Sequence, residues 1–360
     1  MLSTVALLYD AVAAGMWAYS RSAFRVVVVG PARLELGPGT LVLVTHRRET
    51  DVPLVGPPIY RRAGLWRARE PLERLSFAAR DDLFLPGFFA GFPRLLAPTC
   101  RRALFPLGVG RWLGRLEGHP LRSATTARLG EPLHARPTEA LAAVLPPACA
   151  AAFAERAESM GHPEPTRVAD VLRGEYADLL WRPVSPGELA GDEGFWAKRT
   201  AQAAADFRAL VELLRAGGRL LVFPEGRPSP DGQIGPLERG VEALIRRGRP
   251  AALLPVGLAY DPLVRGRTRV VVALGRPVPP RVDPLALLRR TFPLTAGQIV
   301  AAGVSPDEAL DEARAEGRPV DPVLLDPARR VRRLAEAERE SAGRPAELAV
   351  LAREFRSARG

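Results

Sequence analysis

His46 and Asp51 stand five residues apart in "VTHRRETDVP" (44–53), directly after an apolar run. A carboxylate that accepts the N–H of an imidazole fixes its tautomer and stabilises the imidazolium, leaving the other nitrogen to take a proton from a hydroxyl. Five steps of about 100° place the two residues roughly 140° apart around a straight helix, so they meet only if the chain turns between them. "HRRETD" leaves an apolar strand and soon reaches Pro53, which suits a tight turn into a short helix. With four histidines in 360 residues, such a pair arises by chance in roughly one chain in six. Taken alone it is more simply a strand-end His beside a surface Asp.

A second constellation is "VFPEGRPSP" (222–230): an apolar strand, a Pro, then an acid, a Gly and an Arg in a loop. Gly226 allows a sharp turn or a close approach of backbone to ligand, and Arg227 offers a planar fork of donors suited to phosphate. Glu225 can orient an arginine or accept a substrate hydroxyl. The plain alternative is a strand-to-loop exit with a surface ion pair. No Gly-x-Ser-x-Gly elbow supplies a nucleophilic serine. A His-Asp dyad without its own nucleophile points to the substrate's alcohol as the attacking group, in direct acyl or phosphoryl transfer.

Composition removes other classes. The net charge is +11, which favours polyanionic partners. Lys198 is the only lysine, however, and the heavy use of Arg, Ala, Gly and Pro looks partly like GC-rich coding, which halves the weight of that charge. A phosphate-binding Gly-x-x-x-x-Gly-Lys loop is absent. Cys100 and Cys149, with no Cys-x-x-Cys spacing, argue against a disulfide framework and a zinc site and read as core residues. A nucleic-acid binder needs basic patches interleaved with exposed aromatics, and aromatics make up 6% of the chain.

The elements that must position these residues follow from patterning. "FRVVVVG" (24–30), "TLVLVTH" (40–46), "RLLVFPEG" (219–226), "AALLPVGLAY" (251–260) and "TRVVVALG" (268–275) read as buried strands. "DFRALVELLRAGG" (206–218) and "PLERGVEALIRRG" (236–248) read as amphipathic helices. The fold class is therefore α/β, a mixed, largely parallel sheet flanked by helices. His46 and Glu225 then lie just past strand C-termini, the edge where open α/β sheets bind ligands.

Residues 1–23 form an expected N-terminal helix without the positive start of a signal peptide. It approaches the length of a membrane span, but Asp10 lies mid-segment, so it reads as interfacial or docked on the domain. Trp17, Tyr19, Arg21 and Arg25 at its end suit a headgroup zone. Residues 24–275 make the main domain, with a helical insertion at about 124–205 that shows no strand signal. Residues 276–360 are a helical C-terminal extension, read as a solvated, partly mobile helix pair or as a basic helix for a membrane or partner.

"LVTHRRETDVP", "LLVFPEGRPSP" and "LLPVGLAYD" together resemble, in order, signature blocks of the glycerolipid acyltransferase family of the 1-acylglycerol-3-phosphate acyltransferase type. These blocks are His-x-x-x-x-Asp, Phe-Pro-Glu-Gly-Thr-Arg-Ser and an apolar strand carrying Pro-Val. The lead-in "FRVVVVGPARLELGPGTLVLVTH" is similar too, and the resemblance spans about residues 20–122 and 206–275. It implies that His46 is the general base, Asp51 its orienting partner, and Glu225, Gly226 and Arg227 part of a glycerol-phosphate site. The family's phosphate-contacting arginine of the second block is matched by Arg122, with Arg115 competing. Pro255 and Val256 match the fourth block, near the acyl chain, or are plain core strand. Three departures stand out: Arg227 and Pro228 displace the family's arginine by one residue, Thr45 replaces a common Asn, and the gap from Arg122 to Phe223 is long.

The expectation is an O-acyltransferase at the cytoplasmic face of the membrane, peripheral or monotopic. It would move an acyl group from acyl-CoA or acyl-carrier protein to a lysophospholipid or glycerol phosphate, giving products such as phosphatidic acid. No metal or bound organic cofactor is required and no nucleic acid is involved. The alternative is a catalytically weak lipid-binding or membrane-scaffold protein of the same fold.

Overall fold

The computed structural model describes residues 4–48, 51–66, 70–85, 110–229 and 231–359. Residues 1–3 of the N-terminal helix, Glu49 and Thr50 of the dyad turn, Cys100 and Pro230 lie outside the described residues. Two compact units divide the chain, one of residues 1–77 and 210–360, the other of residues 78–209.

The strands are β1 (Arg25–Val29), β2 (Thr40–Val44), β3 (Leu75–Arg80), β4 (Gly118–Leu121), β5 (Ala127–Arg128), β6 (Pro183–Val184), β7 (Arg219–Val222), β8 (Ala252–Asp261) and β9 (Arg269–Leu274). In the first unit the sheet order is β1-β9-β8-β2-β7-β3. β3 runs on past Phe77 into the second unit, where its neighbour β4 is the seventh strand. β1 with β9, β8 with β2, β2 with β7 and β7 with β3 are parallel, while β8 and β9 are antiparallel. This is the mixed, largely parallel sheet that the apolar strands imply. β2, whose five residues are all buried, has no polar face because helices and loops cover both sides.

Among the described residues, helices of seven or more residues are α1 (Thr4–Ala23), α2 (Asp51–Arg62), α3 (Pro147–Ser159), α4 (Glu193–Arg215), α5 (Arg239–Gly248), α6 (Pro284–Thr291), α7 (Ala296–Ala302), α8 (Pro306–Ala315), α9 (Pro327–Ser341) and α10 (Pro345–Arg359). α4 starts well before the apolar pattern at 206, because "AKRTAQAAAD" extends the helix on alanine propensity without an apolar stripe. β3 and β4 have no counterpart in the patterning: "GHPL" carries Gly and Pro, which strands disfavour. The segment expected to be purely helical contains a short antiparallel ladder, Ala127 opposite Val184 and Arg128 opposite Pro183. It encloses its own apolar cluster around Leu133, Phe153, Val168, Leu180 and Trp196, with Cys149 among the buried residues.

α1 packs on α2. The Tyr60 phenol donates to Asp10 Oδ1, and Tyr9 Oη donates to the Leu75 carbonyl at 2.6 Å. Burial and then the Asp10 carboxylate push the Tyr60 phenol up, keeping it a donor. The charge within α1 is thus answered by the protein, while Leu7 and Tyr19 stay exposed. No helix among the described residues is long and apolar enough to cross a membrane.

The C-terminal extension is not a solvated helix pair. Its five helices α6–α10 belong to the first unit, and Leu294, Ile299, Leu310, Ala337, Leu351 and Phe355 pack together in a buried cluster with Leu263. Sparse apolar positions on charged helices such as "ARRVRRLAEAERES" hid this, because a helix needs only a narrow stripe to dock. Asp261, at the end of β8 and fully buried, accepts from Arg333 NH2 at 2.7 Å, from Gly297 N at 3.0 Å and from Leu263 N at 3.1 Å. Removing one partner of such a pair strands a buried charge, so Arg333→Met is expected to lower unfolding free energy by about 3–5 kcal/mol in urea titrations. Adding Asp261→Asn to that variant should recover part of the loss.

Candidate active site

The chain leaves β2 through Thr45, whose buried hydroxyl accepts from Leu258 N at 2.9 Å and pins the strand exit to β8. It then turns so that His46 faces the first residue of α2. His46 Nδ1 and Asp51 Oδ2 are 2.9 Å apart, with the side chains 11% and 0% exposed. The same oxygen accepts from the amides of Arg47 at 2.6 Å and Arg48 at 2.9 Å. Asp51 Oδ1 accepts from the Tyr260 phenol at 2.6 Å. A carboxylate held by two amides and a phenol presents only acceptor character to the ring, so the proton sits on Nδ1 and the Nε2 lone pair is left to act as a base. Asp51 N also donates to the Arg48 carbonyl at 3.1 Å, so the two residues meet, while Glu49 and Thr50 lie outside the described residues.

The downstream motif braces the same histidine. Phe223–Gly226 form a turn closed by Gly226 N on the Phe223 carbonyl at 3.0 Å, with Pro224 at the position where its fixed φ favours turning. Gly226 has φ +66°, where an L side chain is strained, and a Cβ there would meet Glu238 Cγ at 2.6 Å and have to displace that side chain. Buried Glu225 accepts from His46 N at 3.0 Å through Oε1 and from Ser229 Oγ at 2.7 Å through Oε2. Ser229 N donates to the His46 carbonyl at 2.9 Å. The Phe223 ring lies 4.3 Å from the imidazole at 31°, fixing its plane.

The structure therefore brings His46, Asp51, Glu225 and Gly226 into one site. Both Glu225 oxygens are spent inside the protein, so this residue orients the backbone of His46. Arg227 is exposed and has no ion-pair partner among the described residues. Arg122 belongs to the second unit, where NH1 binds both oxygens of Asp206 at 2.7 and 2.8 Å. Arg115, its competitor, is exposed and stacks over Trp112 at 5.3 Å. Pro255 and Val256 are buried in β8 opposite Leu43 and Val44. Among the described residues no group of three His, Cys, Asp or Glu side chains is placed to hold a metal ion.

Sequence reasoning missed Tyr260, Ser229 and Arg47. The one signal for Tyr260 is a phenol ending the otherwise apolar run "LLPVGLAYD"; buried Tyr hydroxyls seek a partner.

No protein-family model and no curated protein matches the chain. Among solved structures, the crystal structure of the 1-acyl-sn-glycerophosphate (LPA) acyltransferase PlsC from Thermotoga maritima is similar over 77% of this chain and 72% of that one, with 16% identity and a TM-score of 0.37. A likeness of that size carries no functional argument. Tyr260→Phe leaves a buried carboxylate oxygen unsatisfied and is expected to cost about 1–3 kcal/mol in chemical denaturation. An unchanged midpoint would mean that Asp51 does not depend on the phenol.

Proposed function

We propose that the protein is an O-acyltransferase that moves a fatty acyl group from an acyl thioester, acyl-CoA or acyl-carrier protein, to a hydroxyl of a lysophospholipid such as 1-acylglycerol-3-phosphate. The observation that carries this reading is the dyad itself: an imidazole oriented by a buried carboxylate, with Nε2 left over. Asp51 is the one side chain hydrogen-bonded to the ring among the described residues.

In the proposed step His46 Nε2 takes the proton of the acceptor hydroxyl as its oxygen attacks the thioester carbonyl. The tetrahedral intermediate collapses with loss of the thiolate, which takes the proton back from the imidazolium. An ester and a free thiol result, and His46 is regenerated. Asp51 holds the tautomer and balances the transient positive charge. Arg227, exposed beside the turn and without an ion-pair partner among the described residues, is the cation proposed to grip the acceptor's phosphate. Its displacement by one residue from the family pattern makes the acceptor headgroup the open specificity.

The lipid acceptor implies action at a membrane surface, proposed here as the cytoplasmic face. The side chains that support this are Leu7 and Tyr19, exposed on α1, and Arg21, stacked over Trp17 at 5.3 Å. Sedimentation with vesicles containing anionic lipid should therefore weaken in a Leu7→Asp/Tyr19→Asp variant; equal binding would remove α1 from the interface.

His46→Ala is expected to lower transfer from an acyl thioester to lysophosphatidate by about 10²–10⁴-fold with an unchanged circular dichroism spectrum. Arg227→Ala should raise KM about tenfold for acceptors carrying a phosphate and little for those without one. Lipid binding with no thioester consumption by the unaltered protein, across phosphorylated and unphosphorylated acceptors, would instead favour a lipid-binding scaffold.

A further inference from the structure

Arg47 occupies an unusual position. Its backbone N–H holds Asp51 Oδ2, while its side chain, 3% exposed, runs away from the dyad into the C-terminal helices. There NH1 donates to the Gln233 carbonyl at 2.7 Å and Cζ lies 4.8 Å from the centre of the Phe292 ring. Nε lies 3.9 Å from Glu354 Oε1, too long for a hydrogen bond, and both Nε and NH2 are buried without a hydrogen-bond partner. A guanidinium has five donors, so most of this one's capacity is unspent among the described residues, at the wall of a small cavity that Glu347 and Glu354 also line.

Glu354, on α10, is the facing charge and is itself buried. Its Oε2 accepts from Gln298 Nε2 of α7 at 3.1 Å. The same helix is tied to the loop that follows the Glu225 turn. Ile234 N donates to Ser357 Oγ at 2.9 Å, and Arg353 Nε donates to the Asp231 carbonyl at 2.6 Å. Gly232, with φ +85°, permits this approach, since a Cβ there would collide with the Val350 carbonyl and the Glu354 side chain. Through Ser229, which bonds to both Glu225 and the His46 carbonyl, that loop reaches the histidine. α10 thus reaches the dyad both through Arg47 to Asp51 and through the loop at 231–234, and Arg47 NH1 bonds to that same loop at Gln233.

We propose that α10 positions the dyad, with Glu354 acting as a positioning residue that holds Arg47, and through its amide Asp51, in the geometry needed for proton transfer. The inference rests on the acyltransferase reading for its kinetic readout, but the dyad geometry can be followed without it. Glu354 touches no reacting atom in this arrangement.

Glu354 is kept at a cost to the fold. Burial pushes its carboxyl up to about 7, opposed by Arg47, the Gln298 hydrogen bond and Arg48, and reinforced by Asp261. The charged groups around it are Arg47 and Arg48 from the dyad turn, Asp261 from β8 with its partner Arg333 from α9, and Glu347 across the same small cavity. For an acid whose folded value is raised, the native state binds the extra proton between the ordinary carboxyl range and about 7, so stability falls as pH rises through that window. Replacing it with a neutral isostere removes the cost of burying that carboxylate and, unlike a change at Arg333, breaks no hydrogen bond to a guanidinium, because Glu354 and Arg47 are 3.9 Å apart. The proposed consequence for activity has the opposite sign. Above about pH 7 the ionised carboxylate holds Arg47, and as pH falls it protonates and lets Arg47 go.

The test is Glu354→Gln in the full-length protein, followed at pH 8 by thermal unfolding, kcat and KM, and the imidazole Nδ1–H proton resonance of His46. The expected result is an unfolding temperature equal to or above that of the unaltered protein, a kcat lower by about tenfold, a KM changed less than about twofold, and a shifted or exchange-broadened resonance. In the unaltered protein the resonance should change as pH passes through about 7, and this step should vanish in Glu354→Gln. An unchanged resonance and kcat would overturn the proposal, as would losses of kcat and unfolding temperature in parallel, which mark a merely structural role. If the unaltered protein transfers no acyl group, the acyltransferase reading fails, and the resonance alone decides whether Glu354 governs the dyad.

Discussion

A buried carboxylate must have its oxygens filled with hydrogen bonds, and Asp51 meets that demand with three donors from the turn before it and one from far along the chain. Arg47 and Arg48 supply amides from the turn before α2, His46 supplies its ring N–H, and Tyr260 supplies a phenol from 209 positions away in sequence. This requirement makes the site depend on the sheet. β2 and β8 run parallel with Val44 opposite Val256, so the residues just past β2 face the far end of β8. β7 flanks β2 on its other side, with Leu43 opposite Val222, so the Glu225 turn emerges beside His46. The ligand-binding edge of an open α/β sheet is here a consequence of neighbouring parallel strands ending together.

The two buried acids of the C-terminal region differ in how completely they are answered. Asp261 has a guanidinium and two amides at hydrogen-bond distance. Glu354 has one amide side chain and a guanidinium that stops short of bonding. The first arrangement locks α9 onto β8. The second leaves an ionisable group and spare donors beside the residues that hold the dyad, where unsatisfied polarity is costly and seldom neutral in effect.

Several charges of the second unit pair within it. Arg199 bonds to Asp81 and Glu131, and Asp82 accepts from Arg80 and Arg128. Burial acts to raise the Asp82 carboxyl most strongly, yet the two arginines together hold it below its usual range. These arginines are engaged in internal pairs, each of which neutralises an acid as well and leaves the net charge of +11 in place.

The sequence by itself determined the α/β class, five of the sheet strands and the chemical character of His46 with Asp51, because apolar runs and residue types are local properties. It also placed Glu225 and Gly226 at a strand exit. It did not reveal β3 or β4, whose short segments lack an alternating or β-branched pattern. Nor did it reveal the docked core of the C-terminal helices, where a few apolar positions are diluted by charge. Tyr260, Ser229, Arg47 and Glu354 were out of reach for a different reason: nothing in a Tyr or a Glu on its own indicates which buried atom it will face. Only the tertiary structure decided that, since the register of parallel strands and the docking of α10 bring together groups hundreds of residues apart.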